Sequence, residues 1–373
     1  MILNQFFELL RSGLWEKPVN ASLFDGNDSG WDAIYRLSQE QTVIALVFDG
    51  INTLPPQLRP PRALYMQWCA QVARIEEANE LLDSVVAELF PVFREAGIPA
   101  VLLKGQGMAA NYPNPNHRQC GDIDIYTGEE NYRTANELMT KNGGILESEY
   151  TIKHAAFLYK GVSVEIHRTL GSLNYPGAKR TLAKFTSKWP DRHTDTILIA
   201  GNKTPVPSPT VNTIYIFTHA FHHFLNSGIG LRQVCDWAKL IDAHYKEIDP
   251  TEIQSLLKKM KLSKAIGAFA YIAVSYLGLA GEKVPFPIAG SSPNGEELLA
   301  DILTTGNFGQ FNTKIKKRPK GYWAGKWHTF SRVVTRIRKL RRHAPSEVYW
   351  YPLALIQGNI VVHWDKLMAR IKK

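Results

Sequence analysis

Cysteine is scarce in this chain: Cys69, Cys120 and Cys235 are the only three in 373 residues. An odd, widely spaced set provides neither a disulfide framework nor a Cys-x-x-Cys metal pair, which fits a reducing compartment. A membrane-length apolar run is lacking too. The uncharged stretch from Ala265 to Gly281 contains Gly, Ser and Tyr and stops short of the ~18–20 residues that span a bilayer, so it reads as a buried helix. The start, Met1-Ile2-Leu3-Asn4-Gln5-Phe6-Phe7-Glu8, has no basic leader and no small-residue cleavage site, so it is not read as a signal peptide. The expectation is a cytoplasmic protein without a transmembrane segment.

Acidic residues are nearly missing from one part of the chain. From Lys314 to Lys373 there are 16 Lys and Arg against only Glu347 and Asp365, a net charge of +14. Residues 1–313 hold 28 basic and 32 acidic residues, a net of −4, so the whole-chain excess of +10 belongs to that one segment. A basic segment of this kind meets nucleic acid, phosphates, an anionic membrane surface or an acidic part of its own fold. Hydrophobic residues at 45% and charged residues at 21% are ordinary for a globular protein, and the length allows about two domains.

Helical spacing dominates residues 1–95. Phe6, Leu9 and Leu10 form one stripe, Trp31 to Phe48 carries apolar residues at helical intervals, and Pro55-Pro56 and Pro60-Pro61 interrupt the chain. Ala63 to Glu95 reads as one long helix. After Gly97-Ile98-Pro99 the pattern changes. Ala100-Val101-Leu102-Leu103 is a short buried strand, followed by a glycine turn at Lys104-Gly105-Gln106-Gly107 and a short helix. Glu129 to Lys141 is a helix, and Ala155 to Tyr159 and Val162 to His167 are strands joined through Lys160-Gly161. Thr196 to Ala200 reads as a strand before a turn at Gly201-Asn202. Helices then occupy Pro209 to Leu225, Leu231 to Tyr245, Pro250 to Met260, Ser263 to Leu279, Gly295 to Thr305 and Phe330 to Arg342, with a linker at 285–293 and a helical stretch over 345–371. The expected architecture is α+β. It comprises an N-terminal helical region (1–95), a small mixed-sheet α/β core (96–207), a helical domain (208–313) and a basic helical C-terminal segment (314–373).

Within that frame, Gly121-Asp122-Ile123-Asp124-Ile125-Tyr126 attracts attention. In a strand successive side chains alternate, so Ile123 and Ile125 share one face while Asp122 and Asp124 share the other. Two neighbouring carboxylates resist joint ionisation unless a cation lies between them. Val162-Ser163-Val164-Glu165-Ile166-His167 repeats the alternation and projects Glu165 and His167 opposite its valines. Three carboxylates from two strands suit Mg²⁺ or Mn²⁺, hard cations that share oxygen ligands with substrate phosphates. The glycine turn upstream offers backbone N–H groups to phosphate oxygens.

These residues resemble the DNA polymerase β-like nucleotidyltransferase superfamily. The sequence is similar above all to a bacterial nucleotidyltransferase family marked by Leu-Lys-Gly, Arg-x₃-Asp-x-Asp and Val-Glu-x-His. Here those motifs stand as Leu103-Lys104-Gly105, Arg118-Gln119-Cys120-Gly121-Asp122-Ile123-Asp124 and Val164-Glu165-Ile166-His167. The pattern His219-x₃-His223 with Leu231-Arg232-x₃-Asp236-Trp237 resembles that family's helical half. The turn departs from the superfamily by having no Gly-Gly or Gly-Ser pair, and the gap from Gly105 to Asp122 is longer than usual.

The resemblance implies transfer of an NMP from an NTP to a hydroxyl acceptor, with pyrophosphate leaving. It implies Asp122, Asp124 and Glu165 as metal-holding catalytic residues, and Lys104, Gly105, Gln106 and Arg118 as nucleotide contacts. His154, His167, His219, His223, Arg232 and Asp236 would line the same cleft. Plain alternatives stand beside these roles: Arg118 as a counter-ion to the acids, Lys104 as a surface lysine, Arg232 and Asp236 as a helical ion pair. Two other functions fit the same residues. One is a catalytically degenerate protein that binds a nucleotide or partner. The other is an RNA-modifying or toxin-like transferase using residues 314–373, where Lys316-Lys317-Arg318 and Arg336 to Arg342 lie near Trp323, Trp327 and Phe330. A solvated helix face is the reading preferred for that segment over nucleic-acid binding.

Overall fold

The computed structural model describes every residue except 26–29, 151–153, 172, 187–193, 289, 308–320 and 355–373. Four helices open the chain: α1 (Ile2–Trp15), α2 (Trp31–Glu40), α3 (Ile44–Thr53) and α4 (Arg62–Glu95). Then come β1 (Val101–Leu103), α5 (Gly105–Ala109), β2 (Ile123–Tyr126), α6 (Gly128–Lys141), β3 (Ile145–Tyr150), β4 (His154–Tyr159) and β5 (Val162–His167). α7 (Pro176–Thr186) leads to a hairpin of β6 (Thr194–Ile199) and β7 (Asn202–Pro207). Helices α8 (Pro209–Asn226), α9 (Leu231–His244), α10 (Pro250–Met260), α11 (Ser263–Ser275), α12 (Ser292–Thr305) and α13 (Tyr322–Leu340) follow. The architecture is α+β, as the sequence predicts.

The five-stranded sheet runs β1-β2-β5-β4-β3, with β2 and β5 parallel and all other neighbours antiparallel. Alternation decides its faces. Ile123, Ile125, Val164, Ile166 and Phe157 enter a core closed by Leu82, Val86 and Leu89 of α4 and by Ala135 and Met139 of α6. The acids and histidines of the same strands are thereby sent to the other side, toward the helical half.

A larger core joins α1 and α3 to α8, α9 and α11 through Phe6, Leu9, Ile51, Phe217, Trp237 and Phe269. Here α1 and α3 meet backbone to backbone. A Cβ on Gly13 would stand 1.9 Å from the carbonyl oxygen of Leu46, and one on Gly50 would stand 2.2 Å from that of Leu9. The helix α4 serves both cores, with Trp68, Val72 and Ile75 in the larger and residues from Leu82 onward in the sheet core.

Several boundaries differ from the sequence reading. The run Trp31 to Phe48 is two helices, because Thr42 turns left-handed at φ 55°. The break lets the buried Gln41 side chain accept from the Leu231 amide and donate to the Ile302 carbonyl. Strands β3 and β7 and helix α7 went unread: β3 alternates weakly, and β7 contains Pro205 and Pro207. The helix read from Phe330 starts earlier, at Tyr322, the one read from Gly295 starts at Ser292, and the one read to Leu279 ends at Ser275. Much of the stretch 345–371, and Lys316-Lys317-Arg318, lie outside the described residues.

Helical residues 345–354 dock by burying Val348 and Glu347. The Glu347 carboxylate accepts from the amides of Asn174, at 2.6 Å, and Tyr175, at 3.2 Å, just before α7. Burial nonetheless pushes its carboxyl from an ordinary 4.5 up to about 7, against the pull of those two donors. A carboxyl that holds its proton more tightly when folded contributes stability that is complete below the unfolded value of 4.5 and is lost as pH rises through about 7. Glu347→Gln removes this titration. The variant is therefore expected to gain stability on the wild type between about pH 5 and pH 8, by on the order of 2–3 kcal/mol at most, seen as a thermal-midpoint difference that grows with pH. A difference that stays constant across that range would contradict the assignment.

Candidate active site

The turn after β1 begins the site. Lys104 stands at φ 49°, ψ −139° and Gly105 at φ 40°, so two consecutive residues with positive φ throw the chain from β1 into α5. For a lysine that conformation costs about 1–3 kcal/mol and persists only where its surroundings over-determine it. What holds it is across the sheet. Leu103 pairs with Asp124 in the β1–β2 register, and Lys104 Nζ reaches Asp124 Oδ2 at 2.9 Å.

Asp124 is the buried centre of the site. In the parallel β2–β5 register it pairs with Glu165, and Tyr126 pairs with His167. His167 Nε2 donates to Asp124 Oδ1 at 2.7 Å and lies 3.2 Å from Glu165 Oε2. His154, opposite His167 on β4, brings its Nε2 to 3.6 Å from the same Glu165 oxygen. Burial opposes charge on Asp124, yet Lys104 and the His167 hydrogen bond hold its carboxyl well below the usual range. The negative charge of Asp124, with burial, pushes the neighbouring Asp122 carboxyl up. His167 responds in the other direction: burial disfavours its charge, but hydrogen bonds to Asp124 and Glu165 raise its pKa overall.

The donor set fits a hard divalent cation. Asp122, Asp124 and Glu165 each offer an oxygen, and these lie within 4.8 Å of one another. The fully buried Asp124 Oδ2 is held in an ion pair by Lys104 Nζ at 2.9 Å. The repulsion between Asp122 and Asp124 that raises the Asp122 carboxyl is what a bound cation would relieve. A second group, His154, Glu165 and His167, shares Glu165 and mixes nitrogen with oxygen donors.

Helix α8 forms the opposite wall. Tyr215, His219 and His223 fall at successive four-residue steps on one face, with ring centroids 5.9 Å and 4.6 Å apart. Lys104 Nζ, a donor only, lies 3.2 Å from His219 Nε2, which therefore accepts. Burial, then the positive charge of Lys104, keeps His219 neutral and well below its ordinary pKa. Among the described residues neither His219 nor His223 belongs to a three-donor metal group.

Arg118 turns away from the acids. It makes a bidentate pair with Asp236 of α9, Nε to Oδ1 at 3.0 Å and an Nη to Oδ2 at 2.6 Å, and Tyr112 donates to the same carboxylate at 2.8 Å. The ion partner of Asp236 is thus Arg118 and not Arg232, one helical turn before it. Arg232 instead donates to the Gln119 carbonyl, while its Nε has no hydrogen-bond partner among the described residues. Burial and the adjacent Arg118 cation disfavour its charge, while Asp236 and, more weakly, Asp122 favour it.

A cleft of about 370 Å³ between sheet and helices gathers Lys104, Gly105, Arg118, Asp122, Asp124, His154, Glu165, His167, His219, His223, Arg232 and Asp236. Gln106 is the exception. It is buried behind the turn, its amide toward Asn79 at 3.4 Å. The cleft also has Thr169, Tyr215, His222 and Gln233 on its walls, which the motifs did not include. Tyr215 was readable as the residue four before His219 on one helical face; Thr169 and Gln233 carried no such pattern.

A search of the curated proteins gives no match. Among solved structures the chain is similar to an antigenic nucleotidyltransferase-like protein from Paracoccidioides brasiliensis, at 16% identity and a TM-score of 0.32, over 48% of this chain and 85% of that one. A family model described as "Uncharacterised nucleotidyltransferase" matches residues 27–278, a span that holds every residue of the cleft. Because the match takes in more than half of the chain, the protein belongs to this nucleotidyltransferase family.

Proposed function

We propose that the cleft transfers an NMP from an NTP to a hydroxyl acceptor, with Mg²⁺ or Mn²⁺ held by Asp122, Asp124 and Glu165. The observation that carries this reading is the convergence of three carboxylates, Asp122, Asp124 and Glu165, whose oxygens lie within 4.8 Å of one another. The bound metal supplies charge neutralisation along the triphosphate and acidifies the acceptor hydroxyl. Arg232, with an Nε free of hydrogen-bond partners among the described residues, binds phosphate oxygens in the role first expected of Arg118. Arg118 and Asp236 position the loop that leads into Asp122. Gly105, at φ 40°, lets the turn bend beside the Asp122 carbonyl. Glu165, its side chain 24% exposed against 0% for Asp124, is open to an acceptor and takes its hydroxyl proton. The acceptor oxygen then bonds to the α-phosphorus as the bond to pyrophosphate breaks. His167, hydrogen-bonded to two carboxylates, fixes their orientation.

Incubating the protein with α-labelled NTPs, Mg²⁺ or Mn²⁺ and a cell extract is expected to label an acceptor and release pyrophosphate. A second reading rests on Lys104, whose ammonium already neutralises Asp124 at 2.9 Å in place of a metal. In that case the cleft binds a nucleotide without turning it over. Calorimetric titration with NTP and Mg²⁺ separates the two: binding with no label transferred favours the second.

A further inference from the structure

Among the described residues the basic C-terminal segment lines no part of the cleft, and α13 within it is organised in an unusual way. Trp323, Trp327 and Phe330 are 80%, 70% and 57% exposed. Their spacing of four and then three residues sets all three on one helical face, and the Trp327 and Phe330 rings lie tilted at 33° with centroids 5.6 Å apart. Val334 continues that face, and exposed Arg338 and Arg341 follow at its C-terminal end. The helix is attached to the body at that same end, where Leu340 and Ala344 are buried and Ile337 packs on the core. Large exposed aromatics in a row are costly in water and mark a contact surface.

We propose that α13 is an interfacial helix that lies on an anionic membrane surface. Charge and chemistry both select this occupant. Residues 314–373 carry a net +14, which matches anionic headgroups. Trp323, Trp327, Phe330 and Val334 follow one another on one face by helical spacing, with the exposed Arg338 and Arg341 beyond them. That suits the boundary between headgroup and acyl chain, where Trp and Phe insert while Lys and Arg stay with the phosphates. Base stacking on a single-stranded nucleic acid uses aromatics alternating with cations along a groove, and this face is a convex helix. Among the described residues no helix is long and apolar enough to cross a membrane, so the association is peripheral. It is independent of the reading of the cleft.

The test is vesicle flotation of the full chain, with phosphatidylcholine alone or mixed two to one with phosphatidylglycerol. The wild type is expected to float with the anionic vesicles and about tenfold less with the neutral ones, in a salt-sensitive way. The triple variant Trp323→Ser, Trp327→Ser, Phe330→Ser should lose about tenfold in partition with its circular dichroism unchanged, since the three side chains are exposed. The pair Arg338→Gln, Arg341→Gln should weaken binding and flatten its salt dependence. Absence of wild-type flotation overturns the proposal, as does a triple variant that floats as well as the wild type. Binding to single-stranded RNA that the triple variant loses, with no flotation, overturns it in favour of RNA.

Discussion

Asp122→Asn is expected to lower nucleotidyl transfer by at least about a thousandfold, about 4 kcal/mol of barrier, while raising the thermal midpoint. The two effects share one cause. Asp122 is half-buried beside the ionised Asp124, whose charge together with burial pushes its carboxyl up. An amide of the same shape removes that repulsion and relaxes the folded state, so stability improves. Under the proposed function the same change would also delete a ligand of the cation, and with it charge stabilisation of the transition state. Stability and activity then move in opposite directions, as they do where a site stores unfavourable electrostatics for a ligand. Parallel measurement of label transfer and thermal unfolding checks both. Full activity in a well-folded Asp122→Asn protein removes the acids from the chemistry. Lost activity with a lowered midpoint removes the repulsion argument.

Asp236→Ala is expected to destabilise the chain by about 3–5 kcal/mol, the largest stability effect at the site. Arg118 is 5% and Asp236 3% exposed, and they are joined by two hydrogen bonds with a third from Tyr112. Removing the carboxylate leaves a buried guanidinium with no counter-charge, and a second cation, Arg232, lies alongside. Arg118→Leu should cost a similar amount. Combining Arg118→Leu with Asp236→Leu should cost much less than the sum of the two, since apolar groups leave no charge uncompensated. Urea unfolding of both single variants and the double closes the cycle. Additive losses would show that each residue works with other partners.

The acids were legible because strand alternation is a strictly local rule. Ile123, Ile125, Val164 and Ile166 enter the core, so Asp124 and Glu165 had only one face left to occupy. The histidines and Lys104 followed from their place beside those strands. Pairings across the fold were not legible. Nothing in Leu231-Arg232-x₃-Asp236 tells that Asp236 looks past Arg232, its neighbour on the helix, toward an arginine 118 residues earlier in the chain. Local propensity also failed where a distant group overrode it. Thr42 breaks a helical run because Gln41 is wanted by Leu231 and Ile302, and the weakly alternating β3 is a strand because β4 lies beside it.

The helix α4 has a mechanical consequence. It is a continuous rod of 34 residues, about 50 Å long, whose first half is embedded in the helical core and second half in the core under the sheet. A hinge between the two walls of the cleft would have to bend this rod or strip one of its halves of apolar cover. Substrate entry therefore falls to small movements at the rim.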